Sequence, residues 1–549
     1  MSVLSAGRSD LVRVALVAIA LLLLLTTVVP VTPAQAASTP IELLEARTSS
    51  FMDFNGSLYF SADAGGGQQL WRSDGTPAGT EPVADLELDS DINVSAANKW
   101  LVSGGWLYFS ARGVGSPSFE LWRTDGSLTE RLCEGGEFCR DVGRLTEFLG
   151  DVYFTATSDV GGLALTDGPR LLRYVATDDR VERVPFLDSS VRQTAVLGDH
   201  LYVVDDGRNL LRTDGETAVP VIIPTGWSRP SGLTIFGSGL VFLLENDARD
   251  EQLWRTDGTQ AVQLTDIARQ DVDERVRIDD PLGVVGMRLV FAADDDGTTF
   301  NLWSVTQAGD LTKIETFEGG VSQGPFDPDS GIVLDGVLYL GAQTSASGRQ
   351  LWRTDGTVAG TYVVEDLGQV IDFCGNCTPT TLFFSPEPSE LVVFDGYVYF
   401  TAFVGEKEGE YPEGRHVFRT AGDGIEFVAE FPSNVHGLRL RTSGDNLFGA
   451  GFVFQGDSPG ALWLIATASG DGSEGSGGSS NGSNEGSGGS GDGSGDGGDD
   501  GTGTGTDLGT GPSVEADTDV GADGIDGGAG DIVEATPARP VVAQPTYTG

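Results

Sequence analysis

One seventeen-residue segment occurs twice in this chain and constrains its fold more than any other feature. Residues 70–86 read LWRSDGTPAGTEPVADL and residues 351–367 read LWRTDGTVAGTYVVEDL, with 12 of 17 positions identical. Shorter copies stand at 121–127, 210–215 and 253–259. Self-similarity at a period of roughly 20–50 residues indicates an array of one supersecondary unit. The chain is therefore predicted to repeat a single structural unit.

A second pattern precedes these copies and occurs nine times, as an apolar pair, a turn and a short apolar or aromatic run. The nine occurrences are 54–60, 102–109, 148–154, 196–203, 235–242, 284–291, 333–340, 393–400 and, most altered, 443–452. Three of the turns are the pairs Asn55-Gly56, Asp335-Gly336 and Asp395-Gly396. Such pairs between apolar runs predict β-hairpins. Their β-branched and aromatic neighbours favour strands.

Each unit therefore contains four short strands: the apolar pair, the LYF-like run, the LW run and the V-x-D-L segment. The LYF and LW runs are continuously apolar, which indicates strands buried on both faces. Four antiparallel strands per unit, stacked face to face in a ring, form a β-propeller. We predict an all-β protein with a propeller of about eight to nine four-stranded blades. Nine hairpins leave open that one altered copy is not a blade, or that two smaller propellers share the region.

The two ends of the repeat region predict how the ring closes. The ninth unit ends at 462–467, just after its LW strand, and lacks a V-x-D-L segment. Residues 39–46, TPIELLEA, resemble that missing strand. We predict that this first strand completes the last blade and so removes an exposed sheet edge.

A tryptophan recurs at the LW position of six units. These residues are Trp71, Trp122, Trp254, Trp303, Trp352 and Trp463. A regular row of indoles could serve as an aromatic ligand platform. Repetition at one structural position favours instead a place in the apolar core between blades.

The two ends of the chain predict export and a flexible tail. Residues 1–36 have the three parts of a secretory signal peptide: Arg8 and Arg13, an apolar run at 14–29, and the small-x-small site Ala34-Gln35-Ala36. An uncleaved anchor helix is the weaker reading, because the run is shorter than the ~20 residues needed to span a bilayer. Residues 38–468 are assigned to the propeller. Residues 469–538 are rich in Gly, Ser and Asp and predict a disordered acidic linker.

The charge of the chain excludes two classes of partner. The formal net charge is −48, and residues 469–549 carry 15 acidic residues against the single base Arg539. With +1 on the N-terminal 37 residues, a net charge of −35 remains on 38–468. Nucleic acid and anionic membrane surfaces would be repelled by such a protein.

Four cysteines fit an oxidising compartment. Cys133 and Cys139 stand six apart in CEGGEFC, and Cys374 and Cys377 form CGNC. Two local disulfides are the economical pairing. A four-cysteine zinc site would need loops from different repeats to converge. A redox-active CxxC normally opens a helix, whereas CGNC lies between strand patterns.

The repeat resembles the bacterial ELWxxDGT repeat family, whose arrays occur in exported and surface-associated proteins. The resemblance covers roughly residues 40–468 and is strongest at 70–86 and 351–367. The leading Glu of the motif is present only as Glu120, and the family pattern is altered in the third, sixth, eighth and ninth units. The positions that depart from the pattern are Gln69, Gln252, Gln350 and Asn301 at the leading Glu, and Leu172, Val305, Phe418 and Ile465 further on. The resemblance implies no catalytic residue.

Few residues indicate chemistry. The three histidines, His200, His416 and His436, have no nucleophile or H-E-x-x-H neighbour. Acidic turns are weak candidates for Ca²⁺, with solvated loops as the alternative. These turns lie at 89–93, 294–297, 327–331 and 517–523. No other cofactor is indicated.

The C-terminal residues 539–549, RPVVAQPTYTG, form a Pro-rich tag of unknown role. The tag fits the L-P-x-T-G wall-sorting pattern poorly, so recognition by another export or anchoring system is a hypothesis.

These patterns together predict a secreted or cell-surface, monomeric, non-enzymatic binding or adhesion scaffold for a glycan or protein ligand. Its ligand surface would be the loops of one face, including the two cysteine-bearing loops. Two alternatives stay open, namely a secreted hydrolase or lyase with carboxylates in the central channel, and a structural component of a surface layer.

Overall fold

The structure is a computed structural model of the chain, and it describes residues 39–468 with gaps. The gaps are 66, 84–87, 93–99, 114–117, 134–138, 158–168, 185–186, 188, 271–274, 280, 298–299, 316–330, 345–347, 368–369, 373–381, 385, 405–413, 423, 432–434 and 454–459. All described residues belong to one of the two units into which the chain divides. Nowhere in them is there a helix with the length and apolarity needed to span a bilayer.

The described residues form nine four-stranded antiparallel blades, numbered 1 to 9 along the chain. The inner strands are Arg47–Phe54, Trp100–Ser103, Gly143–Phe148, Val191–Leu197, Trp227–Phe236, Gly283–Val285, Ile332–Leu334, Ser389–Phe394 and Val435–Ser443. The second strands are Ser57–Asp63, Trp106–Gly113, Asp151–Ala156, His200–Asp205, Gly239–Asn246, Arg288–Asp294, Val337–Thr344, Tyr397–Val404 and Asn446–Val453. The third strands are Gln68–Ser73, Glu120–Thr124, Arg170–Val175, Leu210–Thr213, Glu251–Thr256, Phe300–Thr306, Gly348–Thr354, Gly414–Thr420 and Ala461–Thr467.

The outer strands are shorter, and that of blade 9 comes from the other end of the chain. They are Glu81–Pro82, Thr129–Arg131, Arg180–Arg183, Ala218–Pro220, Ala261–Gln263, Leu311–Glu315, Tyr362–Val363, Glu426–Ala429 and Ile41–Leu44. Four more strands lie outside this pattern. Leu88–Ile92 and Arg277–Ile278 extend the inner edges of blades 2 and 6, while Val370–Asp372 and Leu382–Phe384 pair with each other.

Ring closure follows the sequence-based prediction. Ile41 pairs with Leu464 and Leu44 with Leu462, in antiparallel register. The first strand of the chain therefore supplies the fourth strand of blade 9. The nine hairpins form nine blades of one propeller, which selects among the alternatives that the sequence left open.

The orientation of the strands gives the ring two different faces. Consecutive blades contact each other through their inner strands, so these strands surround the centre. Because the strands are antiparallel, the turns from inner to second strand and from third to outer strand share one face, here called the turn face. The connections from second to third strand, and from each blade to the next, lie on the opposite face, the loop face.

The apolar core is divided among the interfaces between blades. Nine clusters of buried side chains each join two consecutive blades, so they account for all nine interfaces of the ring. The second strands are buried along their length, as in Leu58–Ala62, which confirms that they are covered on both faces. The six tryptophans of the LW position all pack in these clusters. The core interpretation of the indoles is confirmed.

The V-x-D-L segment of the second long copy, residues 364–367, differs from its prediction as a strand, whereas only Val83 of the first copy's segment is among the described residues. The outer strands of the two long copies are Glu81–Pro82 and Tyr362–Val363, and each ends at the residue before the segment. Val83 N–H donates to Leu70 O at 2.8 Å, and in the other copy Val364 N–H donates to Leu351 O at 2.9 Å. In the second copy, strand pairing ends at this bond.

Candidate functional site

The arginine of the LWR element binds within its blade and to the next blade. In blade 1, Arg72 lies opposite Tyr59 on the neighbouring strand. Its Nε and Nη2 donate to Glu81 Oε1 at 3.1 and 2.6 Å, and its Nη1 donates to Gly126 O of blade 2 at 3.0 Å. In blade 5, Arg255 Nη1 likewise donates to Gln307 O of blade 6 at 2.8 Å. The motif arginine therefore links consecutive blades on the turn face.

The glycine of the Asp-Gly pair is required by this link. Gly126 has φ +96°, and a Cβ built on it would lie 2.7 Å from Tyr59 Oη. Gly258 has φ +103°, and its Cβ would lie 2.7 Å from both Tyr202 Oη and Arg212 Nη1 of blade 4. Only a residue without a side chain accepts both the conformation and the close approach.

The aspartate of the same pair organises its own turn. Asp74 Oδ1 accepts hydrogen bonds from Thr76 N–H at 2.9 Å and from Thr76 Oγ1 at 2.7 Å. These bonds lower the pKa of Asp74. Thr76 Oγ1 accepts in turn from Gly79 N–H at 2.9 Å. Asp355 and Thr357 repeat the first two distances in the second long copy.

The leading Glu or Gln of the motif is a buried structural group. Gln252 Oε1 accepts from Ile267 N–H at 3.0 Å, and Gln252 Nε2 donates to Ile267 O at 2.9 Å. Gln350 Oε1 accepts from Leu367 N–H at 3.1 Å. These bonds fix the chain that leaves the outer strand. The residues that recur in the repeat thus make structural contacts within and between blades.

The acidic turn at 294–297, a candidate for Ca²⁺ in the sequence, is instead an ion-pair cluster. Asp294 pairs with Arg277. The two carboxylate oxygens of Asp295 lie 3.1 and 3.2 Å from Lys313 Nζ, and they also accept from Gln270 and Asn301. Both aspartates are buried, and the positive charges of Arg277 and Lys313 compensate theirs.

The remaining metal and histidine candidates give no catalytic grouping in the described part of the chain. No three His, Cys, Asp or Glu side chains there come together as a metal-binding group. The candidates at 517–523 lie outside the described residues, as do Asn93, 327–330 and the side chains of Asp89 and Asp91. His416 is buried and its Nδ1 accepts from Phe431 N–H at 3.3 Å. His200 lies 2.8 Å from Asp199; the side chain of His436 is not described.

One predicted disulfide is confirmed. Cys133 and Cys139 are bonded, and both are buried in the cluster between blades 2 and 3. The two cysteines lie on the connection from the outer strand of blade 2 to the inner strand Gly143–Phe148 of blade 3, which is a loop-face connection. Cys374 and Cys377 lie outside the described residues.

A cavity of about 400 Å³ opens among the inner strands of blades 3, 4 and 5. Its walls come from the halves of these strands nearest the loop face and from the second-to-third-strand connections beside them. The lining residues are Arg144, Arg192, Gln193, Val204, Arg208, Arg229, Pro230, Ser231, Leu243, Leu244, Glu245 and Glu251. Four positive side chains thus meet two negative ones in a protein whose overall charge is strongly negative.

The four arginines differ in their partners. Arg229 Nη1 donates to both carboxylate oxygens of Glu245, at 2.9 and 3.1 Å. Arg192 Nε donates to Asp206 Oδ1 at 2.6 Å. Burial alone lowers the pKa of Arg144, with no compensating carboxylate among the described residues. Arg144 and Arg208 have no side-chain hydrogen bond or ion pair among the described residues, and of these two Arg144 is the one partly buried in the cavity wall.

Two carboxylates also meet in this cavity. Glu245 and Glu251 lie opposite each other on the second and third strands of blade 5. Burial, and to a smaller extent the charge of Glu245, raise the pKa of Glu251, while a hydrogen bond from Ile278 N–H at 2.9 Å lowers it. The sequence predicted that carboxylates could meet at the channel, but it named no residues.

Sequence reasoning missed the arginines because irregular pairing places them. The register of the inner strands shifts between Gly143 and Thr146 in blade 3 and between Ser228 and Ser231 in blade 5. Such bulges turn side chains away from the regular alternation. The sequence did contain one signal of the site. Arg144 stands four residues before Phe148, the last residue of its inner strand, and the corresponding residues are Ser50 in blade 1 and Gly232 in blade 5.

No family model matches the chain, and no curated protein matches its sequence. Among solved structures, the computationally designed protein Ika8 shares 11% identity over 67% of this chain and 96% of its own, with a TM-score of 0.34. A prolyl endopeptidase shares 12% over 75% of this chain and 55% of its own, with a TM-score of 0.35. A puromycin-hydrolysing peptidase of Mycobacterium tuberculosis shares 13% over 66% of this chain and 60% of its own, with a TM-score of 0.32. The chain thus spans little more than half of either peptidase, and likeness at this level carries no argument about activity.

Proposed function

We propose that this chain is an exported, extracellular or surface-bound protein of the ELWxxDGT repeat type, and that it binds a ligand without transforming it. The loop face of the propeller is the binding surface. One observation carries this proposal: the Arg, Asp and Gly residues of the repeat motif make structural contacts on the turn face, whereas the loop face holds an arginine-lined cavity.

The different contacts on the two faces support a binding scaffold. On the turn face, motif residues such as Arg72, Asp74 and Gly126 all have structural partners. On the loop face, the disulfide-bonded segment and the cavity bring side chains from several blades together. Binding residues commonly lie on connections that a rigid scaffold positions.

Oriented immobilisation of the purified chain tests this assignment. One variant, Met287→Cys, attaches the protein through a turn-face residue that is 80% exposed. A second, Ala248→Cys, attaches it through an exposed turn between the second and third strands of blade 5, on the loop face. Each is applied to arrays of glycans and of extracellular proteins, with and without Ca²⁺.

We expect binding when the turn face is tethered and at least tenfold less when the loop face is tethered. Equal binding in both orientations would place the ligand elsewhere. Absence of any ligand, together with ordered self-association of the free chain, would favour the structural surface-layer alternative.

The hydrolase or lyase alternative has one observation in its favour, the pair Glu245 and Glu251. A carboxyl whose pKa is raised beside a second carboxylate is a recurrent arrangement for general acid catalysis. Slow turnover of an array ligand that is abolished by Glu251→Gln, with binding retained, would establish this alternative over the scaffold.

A further inference from the structure

The cavity of blades 3 to 5 has a charge opposite to that of its surroundings. Residues 38–468 carry a net charge of −35, but four arginines and two glutamates line this cavity. Arginines that serve only as structural links have carboxylate or carbonyl partners, as Arg72 has in Glu81 and Gly126. Local concentration of positive charge in a concave site attracts an anion.

Arg144 lacks such a partner. Among the described residues no ion pair or hydrogen bond compensates its guanidinium, which is partly withdrawn from water. A guanidinium presents five N–H donors in a planar fork, which matches the two oxygens of a carboxylate. A ligand carboxylate would therefore satisfy donors that the protein leaves available in this region.

The backbone around the cavity carries conformational strain at its arginines. Arg144, Arg208 and Arg229 have φ of 48°, 62° and 59°, a left-handed conformation that side chains of this kind rarely adopt. At the position equivalent to Arg144, blade 5 has Gly232, which takes φ 62° without that strain. The same conformation recurs at the equivalent Ser50 and Glu390, so it follows the bulge of the inner strand, and in blade 3 this bulge places Arg144 in the cavity wall.

The rest of the cavity wall suits a polyhydroxylated ligand. Ser231, Glu245 and Glu251 place hydroxyl and carboxylate oxygens there, which can accept hydrogen bonds from hydroxyl groups. Leu243 and its apolar neighbours add surface on which a ring can pack. The volume of about 400 Å³ falls within the range of roughly 300–1,000 Å³ found for small-molecule sites.

We infer that the cavity binds a short carboxylate-bearing saccharide, with its carboxylate on Arg144 and its hydroxyl groups on the acceptors around it. This inference rests on the proposed binding function and names its ligand class. The acidic exterior repels densely charged polyanions, which favours a short uronide over a sulfated polymer.

Calorimetric titration of the full chain with trigalacturonate tests the inference, with its fully methyl-esterified form as a matched neutral ligand. Esterification keeps the sugar skeleton and removes the charge. We expect the ester to bind at least tenfold more weakly, and we expect the affinity for the acid to fall with added salt.

The protein variants are Arg144→Gly and Glu390→Gly. Glu390 has φ 55° at the equivalent position of blade 8, where it pairs with Arg441 at 3.0 Å, outside the cavity. We expect Arg144→Gly to weaken trigalacturonate binding at least tenfold with an equal or slightly higher melting temperature, and Glu390→Gly to leave binding unchanged.

Three outcomes would overturn the inference: equal binding of the ester, full affinity in Arg144→Gly, or equal competition by a triglutamate peptide or a sulfated trisaccharide. In each case, binding of another ligand to the loop face in the oriented arrays would leave the proposed function intact. Loss of orientation dependence there would instead remove the proposed function.

Discussion

Residues with positive φ occur on both faces of the propeller, but the residue types differ between the faces. On the turn face, the non-glycine residues with positive φ are mainly Asn or Asp, as in Asn55, Asp335 and Asp395. At or near the loop face they include four arginines, namely Arg144, Arg208, Arg229 and Arg249, and two glutamates, Glu387 and Glu390. Asn and Asp adopt this conformation at low cost and longer side chains do not. One face is therefore built for stability, while the other retains strain where charged side chains are displayed.

The largest effect is expected at a turn-face glycine. Gly258→Ala forces a Cβ against Tyr202 and Arg212 and imposes a conformation unfavourable for alanine, so we expect a loss of about 3 kcal/mol in the free energy of unfolding. Gly56→Ala is the matched control, with φ +75° and nothing within 4 Å of its Cβ, and we expect about 1 kcal/mol. Denaturant midpoints measure both, and equal losses would show that the contact between blades contributes nothing.

Removal of the disulfide tests how the loop face is supported. Cys133 and Cys139 enclose a short loop, for which chain entropy gives a stabilisation of about 2 kcal/mol. We expect Cys133→Ala with Cys139→Ala to lower stability by that amount and to speed amide exchange most in Gly143–Phe148, the strand that follows. Amide exchange that rises equally in the turn-face hairpins of distant blades would contradict a local role of the disulfide.

Relief of strain at the cavity should have a small effect of the opposite sign. Arg144→Gly removes a left-handed arginine, and we expect stability to stay equal or to rise by up to about 1 kcal/mol, because the greater freedom of glycine in the unfolded chain offsets part of the gain. A loss of more than about 1 kcal/mol would show that Arg144 supports the fold, and would weaken the contrast between the faces.

The smallest effects concern pH, and the two faces should respond in opposite directions. Hydrogen bonds from Thr259 lower the pKa of Asp257 on the turn face, so its stabilising contribution is present above the unfolded value of about 3.9 and is lost as the pH falls through the folded pKa. Burial raises the pKa of Glu251, so its ionisation disfavours the folded state, and stability is gained as the pH falls through that raised value.

We therefore expect Asp257→Asn to flatten the loss of stability in acid, and Glu251→Gln to increase stability at neutral pH. Thermal melts from pH 3 to pH 8 provide the measurement. A Glu251→Gln variant that is less stable at neutral pH would show that its carboxylate is favourably paired.

The sequence predicted the scaffold because each local signal agreed with the fold. Asn55 and Gly56 have φ of 52° and 75°, both positive, as the hairpin signal requires. The closing strand was visible at 39–46 because the ninth unit lacked a fourth strand of its own. Because the unit is repeated, the hairpin signals occur several times in the sequence and support one another.

The candidate site was not predictable in the same way. Arg144 lies in a short stretch, GRLTEF, that reads as an ordinary strand, and only the shifted pairing of that strand shows the side chain's displacement into a cavity. The partners of the acidic turn at 294–297 were not predictable either, because Arg277 and Lys313, which compensate its charges, come from other strands. Both cases depend on contacts between segments distant in sequence.

Closure of the ring also requires that the chain be synthesised almost to the end of the repeat region. Ile41 is paired with Leu464, 423 positions later, so during synthesis the first strand has no partner until almost the whole repeat region exists. Contacts of such long range form late in folding. A chain that ends early, or is cut before the last blade, keeps two unpaired sheet edges, the kind of surface that favours aggregation or proteolysis. We therefore expect incomplete chains to be removed by aggregation or proteolysis in preference to closed rings.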